Sequence, residues 1–196
     1  MLECKQGASR FYKIMSLMSK TTAAYVAGLI DGEGSISITR VKKSECTRGI
    51  THSCRIRITM SWKAKDLIYW LKNSFGGYIS FRDRGQEKNS QDAYEWCISR
   101  EKQVLPFILK VSPYLKLKKP QAELLRAFLK TFTPFNESSY IQNVKGKCRY
   151  TELKEEVFQL REKMFLQMKE LNKKGRIVQL ERLNRTTRKG CDSPNL

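Results

Sequence analysis

The sequence predicts an α+β domain in which helices cover one face of an antiparallel four-stranded sheet. Two segments alternate polar and apolar residues with period two, helical patterns flank and separate the strands, and the second half of the chain is helical in pattern. The predicted order is α-β-β-α-β-β-α-α-α. With 196 residues, of which 40% are hydrophobic, the chain suits one domain with a packed core.

The first predicted helix is short and apolar. Thr21 and Thr22 are the expected N-cap residues, the apolar run covers residues 23–30, and Gly32 and Gly34 end the helix. The chain then changes to strand periodicity, with Ile36 pointing to the core.

Two strands with period-two alternation follow this helix. Ile36 and Ile38 in the first strand, and Ile56, Ile58 and Met60 in the second, are expected to face the core. The opposite face carries polar residues and is expected to lie in solvent: Ser35, Ser37, Thr39, Arg55, Arg57, Thr59 and Ser61.

The remaining elements complete the sheet and its helical layer. Residues 63–75 have a helical apolar stripe and stop at Gly76 and Gly77. Residues 78–83 and 93–99 predict two more strands. The pattern is helical from Glu101 onward, with a break at Pro113, a restart near Gln121 and a last helix over residues 152–171.

The charge indicates a polyanionic partner. The 38 Lys and Arg residues exceed the 19 Asp and Glu residues, which gives a net charge of +19. Residues 40–88 contain twelve basic residues against four acidic ones, so the strands carry the excess. Nucleic acid is the expected partner. A membrane and a small-molecule cofactor are not expected, and residues 23–30 are far shorter than the ~20 residues that span a bilayer.

Cysteine and histidine usage excludes several kinds of site. The six cysteines form no CxxC pair, which argues against a disulfide scaffold and indicates reduced thiols. His52, in a stretch predicted to be a loop, is the only histidine, so nucleases built on paired histidines are excluded. Cys46, His52 and Cys54 have a spacing that zinc could use, but a fourth ligand at a sensible spacing is missing.

One nonamer determines the interpretation. Residues 26–34 read VAGLIDGEG and resemble the motif of the LAGLIDADG homing endonucleases at six of nine positions. Residues 113–122 resemble the P-x-L-K-x-K-x-x-Q-A segment of the compact single-motif members from organellar introns, and residues 82–85 are also similar to those enzymes. The resemblance covers roughly residues 21–172 and implies the αββαββα fold of that family.

The motif also has a physical peculiarity. Asp31 and Glu33 would lie at the C-terminal end of a helix, where the helix dipole disfavours carboxylates by a few tenths to ~1 kcal/mol. We therefore expect a compensating cation close to this helix end.

The resemblance implies a metal-dependent site. Glu33 and the backbone carbonyl of Gly32 would bind the catalytic cation, Mg²⁺ or in its place Mn²⁺, and Lys118 would lie near the scissile phosphate. Relatives often carry a Gln-like residue near the end of the second strand. Here that position is Met60 or Trp62, with Ser61 and Lys63 beside it as possible water-orienting residues.

A single motif implies a dimer, because the active site of this family uses two motifs. The small residues on the first helix allow two such helices to approach closely, or allow close packing against the sheet. The resemblance places the dimer interface at Ala24, Ala27, Gly28 and Asp31. A symmetric homodimer predicts a pseudo-palindromic DNA target. The outward strand residues that we expect to contact double-stranded DNA are Ser37, Thr39, Arg40, Arg55, Arg57, Thr59, Arg82, Arg84 and Glu95.

The expected function is intron homing, that is, cleavage of a long double-stranded site with short 3′ overhangs. The alternatives are an RNA maturase that assists splicing and a catalytically weak DNA-binding relative. We expect a loosely ordered leader over residues 1–20, with a mitochondrial transit peptide as the alternative, an endonuclease domain over 21–172 and a basic tail over 173–196. An organelle is the expected location, and a mitochondrion is favoured over a chloroplast.

Overall fold

The four-stranded sheet and the helices on one of its faces are present as predicted. The structure, a computed structural model, describes residues 17–42, 48–83, 92–132, 140–145 and 148–173. The sheet order is β1-β2-β4-β3 and every neighbouring pair is antiparallel. The strands are β1 (Gly34–Lys42), β2 (Ile50–Ser61), β3 (Tyr78–Arg82) and β4 (Ala93–Ile98).

Five helices are described. They are α1 (Lys20–Glu33), α2 (Lys65–Phe75), α3 (Glu101–Val111), α4 (Lys119–Lys130) and α5 (Glu155–Leu171), and two 3-10 turns (Trp62–Ala64 and Ser112–Tyr114) precede α2 and α4. Apolar residues from all five helices join one core with the inward residues of the sheet. The polar face of the sheet is thereby left without a helical cover.

The alternation in β1 and β2 is confirmed. Ile36 and Ile38 are buried in β1, and Ile56 and Ile58 are buried in β2, while their neighbours are partly exposed. On β4, Trp96 faces the same core, and its indole N–H donates to the Gly76 carbonyl at 2.7 Å. The bond satisfies the one polar atom of this buried ring and fixes the end of α2 against the sheet.

The start of α1 differs from the prediction. Its N-cap is Ser19, whose hydroxyl oxygen accepts a hydrogen bond from the Thr22 N–H at 3.0 Å. Thr21 and Thr22 already lie inside the helix. A serine three residues before the bonded amide satisfies the same geometric rule, so the helix begins at Lys20, before the predicted cap residues.

Strand β2 and helix α5 also begin at other positions than predicted. β2 starts at Ile50, so His52 lies in a strand and is buried, whereas the sequence predicted a loop. A hairpin of β5 (Tyr140–Lys145) and β6 (Cys148–Leu153) precedes α5, which begins at Glu155 rather than 152. The predicted helical pattern, which resumes near Gln121 and continues to the last helix, is wrong here, because β-branched and aromatic residues on both sides of Gly146 favour strands.

No helix in the described part of the chain is both long and apolar enough to cross a membrane.

Candidate active site and nucleic-acid interface

The acidic end of α1 lies at the start of the sheet. Gly34 connects helix and strand so tightly that a Cβ there would lie 2.6 Å from the Ile30 Cα. Only glycine fits at this position, where β1 begins directly after Glu33. Gly32 and Glu33 are both exposed. This corner therefore presents a carboxylate and the last helical carbonyls next to the polar face of the sheet.

The compensating cation expected at this helix end is Lys118. Its ammonium Nζ donates to the Ile30 carbonyl at 2.8 Å and also to the Asp31 carbonyl. The last carbonyls of a helix lack intrahelical donors and carry partial negative charge, so an ammonium group is favourable there. The structure thus brings Lys118 to the turn that carries Glu33, from a segment more than eighty residues away in sequence.

Asp31 holds the backbone of that same segment. Its carboxylate accepts hydrogen bonds from the N–H of Lys116 at 2.7 Å and the N–H of Lys118 at 2.9 Å. Partial burial would raise the pKa of Asp31, but the backbone N–H groups of Lys116, Lys118 and Leu117 and the charge of Lys118 together lower it. Asp31 is therefore ionised at neutral pH and engaged within its own chain.

The donor set at Glu33 suits a hard divalent cation that keeps several waters. Among the described residues, the Glu33 carboxylate forms no ion pair or side-chain hydrogen bond, and the Gly32 carbonyl lies in the last, unpaired turn of α1. No group of three His, Cys, Asp or Glu side chains forms a ready metal cluster in this part of the chain. One carboxylate with a carbonyl and phosphate oxygens matches the way Mg²⁺ binds in nucleic-acid enzymes.

The end of β2 lies at the same end of the sheet as Glu33. Gly34 is paired with Ile58, so Thr59, Met60 and Ser61 continue past the start of β1. Met60 packs against the core and Trp62 is exposed. Ser61 and the exposed Lys63 are the polar residues beside them. Of Met60 and Trp62, the two candidates for the Gln-like position, Trp62 is therefore the accessible one.

The polar face of the sheet carries most of the predicted DNA-contact residues. Arg55 and Arg57 lie in register with Ser37 and Ser35 of β1. The Ser37 hydroxyl donates to the Arg55 carbonyl at 3.4 Å, so this serine also supports the sheet. In the same way the Thr39 hydroxyl donates to the Ser53 carbonyl at 3.4 Å. These side chains form one polar surface that begins at Gly34.

Glu95 lies in the middle of that surface, where it joins two arginines. Its carboxylate lies 3.5 Å from Arg57 Nη1 and 2.5 Å from Arg82 Nη2, and it accepts a hydrogen bond from the Thr59 hydroxyl at 3.4 Å. Only 5% of Glu95 is exposed. Glu95 therefore faces the polar side as predicted, but its carboxylate orients Arg57 and Arg82 instead of standing free.

The prediction is wrong for Arg40, which lies on the helical side of the sheet. Arg40 continues the alternation of Ile36 and Ile38 in β1, and its guanidinium binds both carboxylate oxygens of Glu162 on α5. His52, opposite Arg40 in β2, bonds the same carboxylate through Nε2 at 2.8 Å. Strand geometry puts every second side chain on one face, so Arg40 cannot share the face of Thr39.

His52 is the buried and neutral member of this cluster. Burial, and after it the charges of Arg161 and Arg40, lowers the pKa of His52. A neutral ring beside a carboxylate must donate through Nε2, which leaves Nδ1 as an acceptor without a partner among the described atoms. Cys54, two residues on, donates its thiol to the Ser99 carbonyl at 3.4 Å. Cys46 lies outside the described residues, as does Arg84 of the predicted DNA contacts.

Three further residues of the polar face were missed from the sequence. Tyr78 and Ser80 in β3, and Cys97 in β4, lie in register with the outward positions of β2. A hydrogen bond to Cys97 raises the pKa of Tyr78, and burial raises the pKa of the Cys97 thiol. Strand β3 is too short for its alternation to be recognised in the sequence. The register of β3 and β2 with β4 identifies these residues, and this register is known only from the structure.

The exposed face of α1 carries only part of the predicted dimer interface. Ala24 and Gly28 are exposed one turn apart, and a Cβ at Gly28 would have open space around it. Ala27 is wrongly assigned, because it is fully buried in the core of its own chain. Asp31 is turned to the segment around Lys116. The accessible small residues therefore are Ala24 and Gly28, on a face that also exposes Tyr25.

Comparison with known proteins identifies the family of this chain. The sequence profile of the family described as LAGLIDADG endonuclease matches residues 26–132. The chain is 28% identical over 123 residues to the DNA endonuclease I-CreI of Chlamydomonas reinhardtii, an alignment that covers 61% of this chain and 69% of the relative.

Solved structures show the same fold. The homing endonuclease I-CvuI in complex with its target superposes with a TM-score of 0.62 at 17% identity, over 80% of this chain and 85% of that one. The archaeal intron-encoded homing endonuclease I-Vdi141I, complexed with DNA, superposes with a TM-score of 0.58 at 18% identity, over 79% and 86% of the two chains. The profile match covers more than half of the residues and includes both the α1 motif and Lys118. The chain belongs to the LAGLIDADG endonuclease family.

Proposed function

We propose that this chain is a site-specific double-strand DNA endonuclease that acts in intron homing as a homodimer. The observation that carries the proposal is the corner at the end of α1. Glu33 is exposed there, and the ammonium group of Lys118 binds carbonyl groups of the same helical turn. The polar face with Arg55, Arg57 and Arg82 begins at the same corner. A carboxylate that can hold a cation and an ammonium group, next to a basic sheet, suit phosphodiester chemistry on bound DNA.

The number of Glu33 sites in each chain predicts a dimer. One chain supplies one Glu33, whereas cutting two strands needs two such sites. Pairing of the Ala24 and Gly28 faces about a two-fold axis would bring two corners together, with one sheet on each half of the target. Each sheet would lie in a major groove, as β-ribbon readers do, and two half-sites imply a pseudo-palindrome of roughly 20 base pairs.

The residues of the corner divide the chemistry between them. Glu33 and the Gly32 carbonyl would hold Mg²⁺, or Mn²⁺ in its place. When bound, such a cation polarises a water and neutralises charge on the phosphate and the leaving oxygen. Lys118 would stabilise the negative charge that develops on the phosphate. Ser61 and Lys63, at the end of β2, would orient the attacking water. Hydrolysis of both strands then leaves short 3′ overhangs.

The proposal includes that the protein is encoded by an intron in an organelle, for which a mitochondrion is favoured over a chloroplast. A duplex that joins the two exons without the intron is then the natural substrate. Because the target sequence is not encoded in the fold, a pool of randomised duplexes whose cut ends are sequenced is the second substrate. Each is incubated with Mg²⁺, with Mn²⁺ and with EDTA.

The expected result is cleavage at one discrete site with either metal and none with EDTA. DNA binding at one site without cleavage would instead identify a catalytically weak relative. The exposed Trp62 at the end of β2 favours this alternative, because it cannot orient a water as a Gln-like side chain would. Splicing assistance without DNA cleavage would identify an RNA maturase. Cleavage without added metal would contradict the role of Glu33.

Arg57 and Arg40 lie on opposite faces of the sheet, so the effects of replacing each by alanine can be compared. Arg57→Ala is expected to weaken DNA binding while changing stability by less than ~0.5 kcal/mol, because Arg57 lies on the open polar face. A base contact would cost ~1–3 kcal/mol at one position of each half-site, whereas a phosphate contact would lower affinity for all sequences and reduce the salt slope by about one.

Arg40→Ala is the control. It removes the same charge from the helical side of the sheet, where Arg40 binds Glu162. We expect its DNA affinity to stay close to that of the parent and its midpoint of thermal unfolding to fall. Binding titrations against salt and thermal denaturation separate the two variants. Loss of DNA binding in the Arg40 variant, without loss of stability, would contradict the assignment of the two faces.

A further inference from the structure

We propose that Asp31 is the positioning residue for Lys118, and that its carboxylate places the Lys118 ammonium group beside Glu33. The inference rests on the proposed endonuclease function and assigns a role to the motif aspartate other than a dimer contact. Asp31 would act through Lys118, without touching DNA itself.

The segment that carries Lys118 contributes little apolar surface to the core. Leu115 is buried, but Leu117 is 75% exposed and Lys116 is exposed as well. Lys118 occupies the N-cap of α4, and no side chain caps that helix end. The backbone between Leu115 and α4 therefore depends on hydrogen bonds for its position. Asp31 accepts two of them, one on each carboxylate oxygen.

Lys118 is bound to the end of α1 through both its backbone and its side chain. The Lys118 backbone N–H donates to the Asp31 side chain, while the Lys118 Nζ donates to the Ile30 and Asp31 carbonyls. Both ends of the lysine are thus tied to the same helical turn. Loss of the carboxylate would release the backbone end first and let the ammonium group move relative to Glu33.

A carboxylate is required at this position because both of its oxygens accept hydrogen bonds. In Asn, one of the two positions becomes an NH₂ group, which cannot accept and would face the N–H of Lys116 or Lys118. The remaining bond also loses its charge assistance. Asp31→Asn is therefore nearly equal in size but mismatched in hydrogen bonding, whereas Asp31→Glu keeps both acceptors on a longer side chain.

The test is a double-mutant cycle on single-turnover cleavage with saturating DNA. We expect Asp31→Asn to slow cleavage by about 10- to 100-fold, since small misplacements of a reacting group have effects of this size. DNA affinity in Ca²⁺ should change less than threefold. Asp31→Glu should cleave faster than Asp31→Asn. Glu123→Gln, at an exposed carboxylate on α4, is the charge-matched control and should cleave like the parent.

The decisive comparison uses Lys118→Ala as background. If Asp31 acts through Lys118, then Asp31→Asn should cause no further loss there. An equal further loss would overturn the inference, because Asp31 would then act through Glu33 or through the fold. Parent-like cleavage by Asp31→Asn would overturn it as well.

Amide hydrogen exchange provides a readout that needs no cleavage. The N–H groups of Lys116 and Lys118 should exchange at least tenfold faster in Asp31→Asn than in the parent, whereas amides in the core of the sheet should be unchanged. Equal exchange would overturn the positioning role. Failure of the parent to cleave any duplex would overturn the proposed function alone, and the exchange rates would still decide the role of Asp31.

Discussion

Glu33→Gln is expected to abolish cleavage while DNA binding stays nearly intact. The change keeps the shape of the side chain but removes the anionic oxygen that would hold the cation. A metal at a phosphate contributes several kcal/mol to transition-state stabilisation, so its loss corresponds to a rate decrease of at least about 10³-fold. Glu33 is exposed and unpaired in the described part of the chain, so stability should hold.

The measurement is a single-turnover rate in Mg²⁺ beside a binding titration in Ca²⁺. Glu123→Gln again serves as the control for charge, because its carboxylate is exposed on α4. Addition of Mn²⁺ should not restore the full rate of the Glu33 variant. Retained cleavage by Glu33→Gln would falsify the assignment of this residue as the metal ligand.

Gly28→Leu is expected to eliminate the dimer and with it double-strand cleavage. A Cβ at Gly28 meets nothing within 4 Å, so a larger side chain fits the single chain without strain. Leucine also favours a helix over glycine by about 1 kcal/mol, so the isolated fold should be no less stable. Two α1 helices that meet backbone to backbone at Gly28 cannot accommodate two leucine side chains.

Sedimentation and thermal denaturation separate these effects. The parent should sediment at about twice 22.9 kDa and the variant at 22.9 kDa. Glu123→Leu is the matched control, because it adds the same side chain to an exposed position of α4 and should leave the mass of the assembly unchanged. A monomeric parent that cuts both strands would contradict the two-fold arrangement.

Local periodicities were readable from the sequence because they arise from backbone geometry. The alternation around Ile36 and Ile56 identified the buried and the polar face, and continuing it would have placed Arg40 on the helical side. The β5–β6 hairpin was missed although β-forming residues flank Gly146. Such signals are short, and a helical pattern on both sides concealed them.

The sequence alone determined the family motif, the sheet with its basic face and the acidic end of α1. Which groups meet there was decided by tertiary structure. Lys118 lies 87 residues from Asp31, and Arg40 lies 122 residues from Glu162. A helix end attracts a cation, and an arginine beside a helix favours an acidic partner, but neither rule identifies the particular residue that will be the partner. Only packing of α4 and α5 against the sheet brings these particular partners within hydrogen-bond distance.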